Sequence, residues 1–239
     1  MGTDRLRELR RAIHSGDPAA MVAAVEHHGL RPSLQLAGEV LLVALRADAA
    51  GASDLADRFA AALEGRGWDG DLELATALRA AMAGHDEQGL GDLAVDLDEL
   101  ADVLEGAPEY SGGYLDLRSG EIWPLSVADG DGWDDPLDLD LDDSERWLSV
   151  WPQGSRDGYQ DMVQFAETCT DAVLAGKLDV ALNGRGAFRR FKDVLFDYPD
   201  ERAEWFSFSD DRRRGRARAW LAAAGYRAVF RPVSGSSGR

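Results

Sequence analysis

The first 106 residues carry a hydrophobic pattern with the period of an α-helix. Leu6, Leu9 and Ile13 recur at i, i+3 and i+7, which places them on one helical face. Similar spacing returns in five further segments, bounded by glycines and capping residues. The most apolar segment, residues 32–48, is expected to be a buried central helix. The pattern predicts an all-α bundle of six short helices over residues 1–106, arranged as stacked helical hairpins.

The last of these segments, residues 90–106, combines leucines with many acidic side chains. Its leucines are spaced for one helical face and the acids occupy the other face. We therefore expect one continuous helix that carries Leu93, Leu97, Leu100 and Leu104 on its buried side.

The pattern changes after residue 106, where glycine and proline cluster. Residues 114–125 predict two strands joined by a tight turn, and residues 146–152 predict a third strand. Helical spacing then returns. The sequence predicts an α+β protein, in which a domain over residues 107–233 packs helices on a small antiparallel sheet. Residues 234–239, Ser-Gly-Ser-Ser-Gly-Arg, have the composition of a disordered tail.

The stretch GRGAFRRFKD, residues 184–193, concentrates basic side chains behind a Gly-Arg-Gly corner. A helix is predicted to start at Ala187, with Phe188, Phe191 and Leu195 on one buried face. The stretch is not a dinucleotide-binding GxGxxG loop, because arginine replaces the third glycine and no strand precedes it. Its basic residues fall off the apolar stripe and could still meet a phosphate at the helix start.

The C-terminal segment is expected to contain a separate last helix. Aromatic residues at 204–208 predict that Trp205, Phe206 and Phe208 pack on the preceding helix. A final helix would then begin near Asp210 with a run of arginines. Together the two basic runs define the candidate residues for binding an anion or nucleic acid: Arg185, Arg189, Arg190, Lys192, Arg212, Arg213 and Arg214. The alternative is a solvated basic face, or salt bridges to nearby aspartates.

The net charge of -18 is distributed unevenly along the chain. Residues 86–145 contain twenty acidic residues and one arginine, whereas residues 183–231 contain twelve basic and seven acidic residues. Such asymmetry can mark a surface for nucleic acid or another partner. The acidic stretch at 128–143 departs from the calcium-loop pattern at its third ligand position and at the required glycine, so no metal site is predicted there.

The chain offers few candidate catalytic residues. His27 and His28 are neighbours, so they are expected to point to different faces of a helix and not to share a metal. Cys169 has no histidine or acid at a motif spacing, and no serine lies in a GxSxG setting. We predict no catalytic residue, metal or small-molecule cofactor. No apolar run approaches the roughly 20 residues that span a bilayer, and a single cysteine cannot form an internal disulfide. A cytoplasmic protein without a membrane anchor is therefore expected.

Three functions are compatible with these features. A non-catalytic binding or regulatory module that contacts a protein or nucleic acid is favoured. An acidic decoy or immunity-type inhibitor is the first alternative, with the acidic stretch standing in for phosphates. An enzyme with a scattered site is the second alternative, disfavoured by the missing nucleophile, metal cluster and cofactor loop.

The second half of the chain resembles a bacterial family, uncharacterised protein family 0158. The segments GGYLDLRSGEIWPL, RWLSVWP and GYQDMVQFAE carry the resemblance, together with ALNGRGAFRRFKDVLFDYPDERAEWFSF and RARAWLAAAGY. They cover about residues 110–226. The resemblance implies a shared fold for this half and brings no catalytic residues. The N-terminal helical half lies outside it.

Overall fold

A computed structural model describes residues 2–30, 33–85, 89–106, 112–125, 141 and 143–230, with side chains from residue 5 onward. Within these ranges the chain forms ten α-helices and five short strands, which confirms the α+β fold class. Three segments for which the sequence makes predictions lie outside the described residues. They are the predicted tail, residues 107–111 at the proposed domain boundary, and all but two residues of the acidic stretch at 128–143.

The N-terminal part contains five of the six predicted helices, packed around one apolar core. Their buried faces form a continuous cluster of leucine, valine and alanine with Met21 and Phe59. Local signals fix the helix ends: the Asp17 side chain accepts a hydrogen bond from the Ala19 backbone N–H, and Pro18 occupies the first helical position. The helices are α1 (Gly2–Ser15), α2 (Pro18–His28), α3 (Leu34–Arg46), α4 (Ala52–Arg66) and α5 (Asp71–Met82).

The segment at 90–106 is not one helix, contrary to the sequence expectation. It forms strand β1 (Gly91–Leu93) and then helix α6 (Leu97–Leu104). The Asp96 side chain accepts from the Asp98 backbone N–H, so this residue caps α6 and ends the extended segment before it. Leu93 is therefore buried as a residue of strand β1 and not of a helix.

The rest of the chain contains two small sheets. The predicted antiparallel sheet is present, with strand order β3-β2-β4. The second sheet was not predicted: β1 pairs in parallel with β5, the strand that follows the last helix. The bounds are β2 (Gly113–Asp116), β3 (Ile122–Pro124), β4 (Trp147–Val150) and β5 (Tyr226–Ala228).

Four helices complete the fold, and the last of them is its central element. They are α7 (Arg156–Thr168), α8 (Ala172–Leu182), α9 (Ala187–Phe196) and α10 (Pro199–Ala223). Helix α10 packs against α1, α3, α5, α6, α7 and α9. The expected separate last helix near Asp210 is wrong, because one 25-residue helix runs through the aromatic and arginine segments. Trp205 is buried on it, whereas Phe206 is largely exposed.

Helix α6 shares its core with the C-terminal part. Leu97, Leu100 and Leu104 are buried together with Leu115 of β2 and Leu221 of α10. A third cluster, built from α7 to α10, contains the Phe165, Phe191 and Trp205 rings. The division of the chain into domains at residue 106 stays a prediction.

Candidate functional site

The arginines of α10 point toward carboxylates of the protein itself. Arg214 is 6% exposed and donates to Glu39 Oε2 of α3 at 2.9 Å, to Asp98 of α6, and lies 3.4 Å from Asp210. Burial opposes its charge, yet these three carboxylates hold the pKa of Arg214 above its ordinary value. Its guanidinium therefore links α3, α6 and α10 through ion pairs.

A second buried cluster ties α10 to the N-terminal helices. Asp211 accepts from the Gln35 backbone N–H at 2.7 Å and from Arg66. The Gln35 side chain donates to Asp71 at 2.8 Å and accepts from Arg218 Nε at 2.8 Å. Burial raises the pKa of Asp211, while the Arg66 guanidinium and the Gln35 N–H act in the opposite direction. These contacts join residues of α3, α4, α5 and α10.

Arg212 and Arg213 are paired in the same way. Arg212 Nε donates to Asp161 Oδ1 of α7 at 2.8 Å, and Arg213 Nε donates to Glu105 Oε2 at 2.8 Å. Arg213 also pairs with Asp102. Three of the seven candidate binding residues, Arg212 to Arg214, are thus engaged with carboxylates of the same chain.

The other four candidates lie on α9 and the turn before it. Arg189 is 89% exposed, and its Nε lies 3.7 Å from the Asp193 carboxylate one turn on. Arg190 donates to the Asn183 carbonyl oxygen at 2.6 Å, which closes the corner before α9. Arg185 and Lys192 are exposed. The structure therefore leaves a basic surface on α9 but does not bring it together with the α10 arginines.

Phe188 does not belong to the core. Phe191 and Leu195 are fully buried, as expected, but Phe188 is 39% exposed. It lies in the first turn of α9, at the rim of the cluster, where its ring faces Gly158 of α7. The prediction that Phe188 is a buried anchor is wrong.

An open apolar groove runs between α8 and α9. Its volume is about 710 Å3. Val173 and Val180 are 64% and 69% exposed in it, although the opposite face of α8 buries Leu174 and Leu178. Lys177, Arg190 and Asp193 lie at its polar margin, and its apolar walls are formed by Ala172, Val173, Gly176, Val180, Ala181 and Val194.

A smaller cavity of about 300 Å3 lies where α1 and α3 meet the β1–β5 pair. Its walls include Ile13, Leu42 and Val95, and Glu39, Asp98 and Arg214 of the network already described also line it. Arg10, for example, donates to Asp98 at 2.9 Å and to Asp210 at 2.8 Å. Arg10, Arg214, Glu39 and Asp98 are thus held in ion pairs at this cavity.

Two histidines at the end of α2 meet a glutamate from the middle of α1. The His27 and His28 rings lie 5.0 Å apart, and His28 Nε2 lies 3.0 Å from Glu8 Oε2. The expectation that the two rings diverge is therefore wrong. Burial lowers the pKa of His28 and the charge of Arg5 adds to this, whereas Glu8 acts in the opposite direction. Sequence reasoning missed this group because Glu8 comes from a different helix.

The fold and these surfaces define a small α+β protein that presents an apolar groove and in which most α10 arginines serve internal ion pairs. Comparison with known proteins places the chain in a family: residues 91–236 match the model of UPF0158, an uncharacterised protein family, and the chain belongs to it. A UPF0158 protein of Pseudomonas aeruginosa is 31% identical over 130 residues, which cover 54% of this chain and 82% of that protein. No solved structure matches.

The family match confirms the resemblance and extends its start to β1. It therefore includes α6 and the parallel β1–β5 pair, whereas α1 to α5 lie outside it. The ion pairs of Arg214 with Glu39 and of Asp211 with Arg66 join the two parts. Among the described residues, no helix is both long and apolar enough to cross a bilayer.

Proposed function

We propose that this protein is a non-catalytic binding or regulatory module of the cytoplasm, which contacts another protein through the groove between α8 and α9. The observation that carries the proposal is the exposure of Val173 and Val180 on a helix that is apolar on both sides. An apolar face of a helix is normally packed against another surface. The groove therefore has the character of a surface that a partner covers.

The charges of the molecule support a protein partner. Arg212, Arg213 and Arg214 are held by carboxylates of α3, α6 and α7, so they offer little to a polyanion. The groove instead combines an apolar floor with a few charges at its margin, which is the usual composition of a protein interface. A reducing compartment suits a chain with one cysteine.

Site-specific photo-crosslinking in cells tests the proposal. A photoreactive amino acid at Val180 should give a discrete adduct with one protein, and Val173→Asp should abolish that adduct. The same photoreactive residue at Leu72, an exposed leucine of α5 away from the groove, is the matched control. The proposal is wrong if position 180 gives no adduct, or gives the same products as position 72.

Nucleic acid is a second candidate partner, because Arg189 is exposed and only weakly engaged on α9. If α9 binds nucleic acid, Arg189→Glu together with Arg190→Glu should abolish binding to duplex DNA or RNA measured by fluorescence anisotropy. Arg58→Glu, a charge reversal at an exposed position of α4, should leave binding intact. Each phosphate contact should add close to one unit to the log-log salt slope for duplex DNA. Absence of binding by the unmodified protein at low salt would exclude this candidate.

A further inference from the structure

The Glu8, His27 and His28 side chains come from two helices and converge on one small volume. Glu8 lies in the middle of α1, and the two histidines are the last residues of α2. One potential ligand atom from each of them lies within 4.8 Å of the other two. The closest approach is the 3.0 Å between Glu8 Oε2 and His28 Nε2.

The adjacent histidines come together at the end of α2. Successive side chains in a helix normally diverge by about 100°. No further helical turn follows His28, because the chain leaves the helix at Gly29, whose φ is 61°. The two rings are consequently not confined by a following turn. They meet edge to face, with an interplanar angle of 74°.

We propose that Glu8, His27 and His28 form a binding site for a divalent transition-metal ion such as Zn2+. Two imidazole nitrogens and one carboxylate oxygen are a donor set that Zn2+ accepts in proteins, with water in the remaining position. The ion would bridge α1 and α2, so it would act as a clamp between them. Both helices lie outside the family match, so the site would belong to the N-terminal part of this chain.

The surroundings set limits on the affinity. The Glu8 side chain is close to half exposed, so water can reach the site and complete the coordination. Arg5 lies close enough to influence His28 electrostatically, and its positive charge opposes a dication. We therefore expect reversible binding that a chelator removes, in contrast to a closed structural zinc site.

Zinc titration of the full chain without a histidine tag tests the site. Competition with a chromophoric chelator should give one Zn2+ per chain. His27→Ala and Glu8→Gln should each weaken binding roughly tenfold or more, by analogy with the loss that even outer-shell substitutions cause. His85→Ala removes an exposed histidine beyond the end of α5 that is not part of the Glu8, His27 and His28 group, and it should leave the affinity unchanged.

Cobalt supplies a second readout that nonspecific binding would not reproduce. Co2+ in a site with nitrogen ligands should give visible d–d absorption that saturates at one equivalent and disappears in the His27→Ala variant. The proposal is overturned if zinc binding does not saturate. It is equally overturned if His27→Ala and His85→Ala lose the same affinity, because the ion would then be bound by the acidic surface in general.

Discussion

Helices α9 and α10 carry the two basic runs of the chain, and the structure uses them in opposite ways. On α9, Arg189 extends into solvent and, within the described part of the chain, pairs only with Asp193 one turn away. On α10, Arg214 is enclosed by three carboxylates from three helices. The two runs have similar composition, so composition does not decide their role. Their role is decided by the number of elements that pack around each helix.

The central position of α10 makes its arginines structural. Glu39 reaches Arg214 across 175 residues of sequence, and Glu105 reaches Arg216 across 111. Charges buried this deeply are tolerated only when they are paired. The carboxylates that pair with the α10 arginines are therefore part of the fold. The basic surface of α9 is left available for contacts with other molecules.

The largest effect is expected from removing an enclosed guanidinium. Arg214→Ala leaves Glu39, Asp98 and Asp210 without their shared cation, which should lower the free energy of unfolding by about 3–5 kcal/mol. Arg189→Ala removes an exposed arginine from α9 and should change the free energy of unfolding by about 0.5 kcal/mol or less. Urea denaturation of both variants measures the difference. Equal losses would show that the two helices do not differ as described.

The aromatic residues of α9 provide the same contrast within one helix. Phe191 is fully buried and its ring lies 4.8 Å from the Trp205 ring, so Phe191→Ala should cost roughly 3–5 kcal/mol. Phe188→Ala should cost clearly less, because its ring is partly in solvent. Thermal unfolding of the two variants tests this ranking. A larger loss at Phe188 would contradict the placement of that ring at the rim.

Sequence reasoning succeeded where structure is set locally. The periodicity of α1 to α5, the β2–β3 hairpin and the burial of Phe191 all follow from nearby residues. The parallel β1–β5 pair could not be found that way, since Gly91 pairs with Tyr226 and no turn fixes their register. The pair is only three residues long on each strand.

The continuity of α10 was missed for a related reason. Ser209, Asp210 and Asp211 have the composition of a helix start, because such side chains commonly cap one. In the structure Asp210 and Asp211 instead accept from arginines, among them Arg10 and Arg66 of other helices. Their use depends on partners that only the folded chain brings near, and the same is true of the Glu8, His27 and His28 group.

A moderate effect is expected where α10 crosses the start of α5. A Cβ at Gly215 would lie 2.1 Å from the Asp69 carbonyl oxygen, so backbone would have to move. Gly215→Ala should therefore cost about 1–3 kcal/mol. At Gly176 of α8 a Cβ would meet open space, and Gly176→Ala should be neutral or stabilise by up to about 1 kcal/mol through helix propensity. A stabilising alanine at 215 would show that α10 does not approach α5 so closely.

The smallest effect concerns an acid of α6 that lies among other acids. Asp98 pairs with Arg214, and Asp102 pairs with Arg213. Burial raises the pKa of Glu99 between them, and the charges of Asp96 and Asp102 raise it further. A raised pKa in the folded state means that the native protein holds this proton more tightly than the unfolded chain. The contribution of Glu99 to stability is then most favourable below its unfolded pKa and declines as pH rises through the folded value.

Replacing Glu99 with glutamine removes that decline. Glu99→Gln should have the same stability as the unmodified protein near pH 4 and a slightly higher one at pH 7, measured by urea denaturation across this range. Asp102→Asn is the matched control, because it takes a carboxylate away from Arg213 and should lower stability at pH 7. If glutamine at position 99 destabilises the protein at pH 7, then Glu99 is matched by a positive charge in the same way as its neighbours.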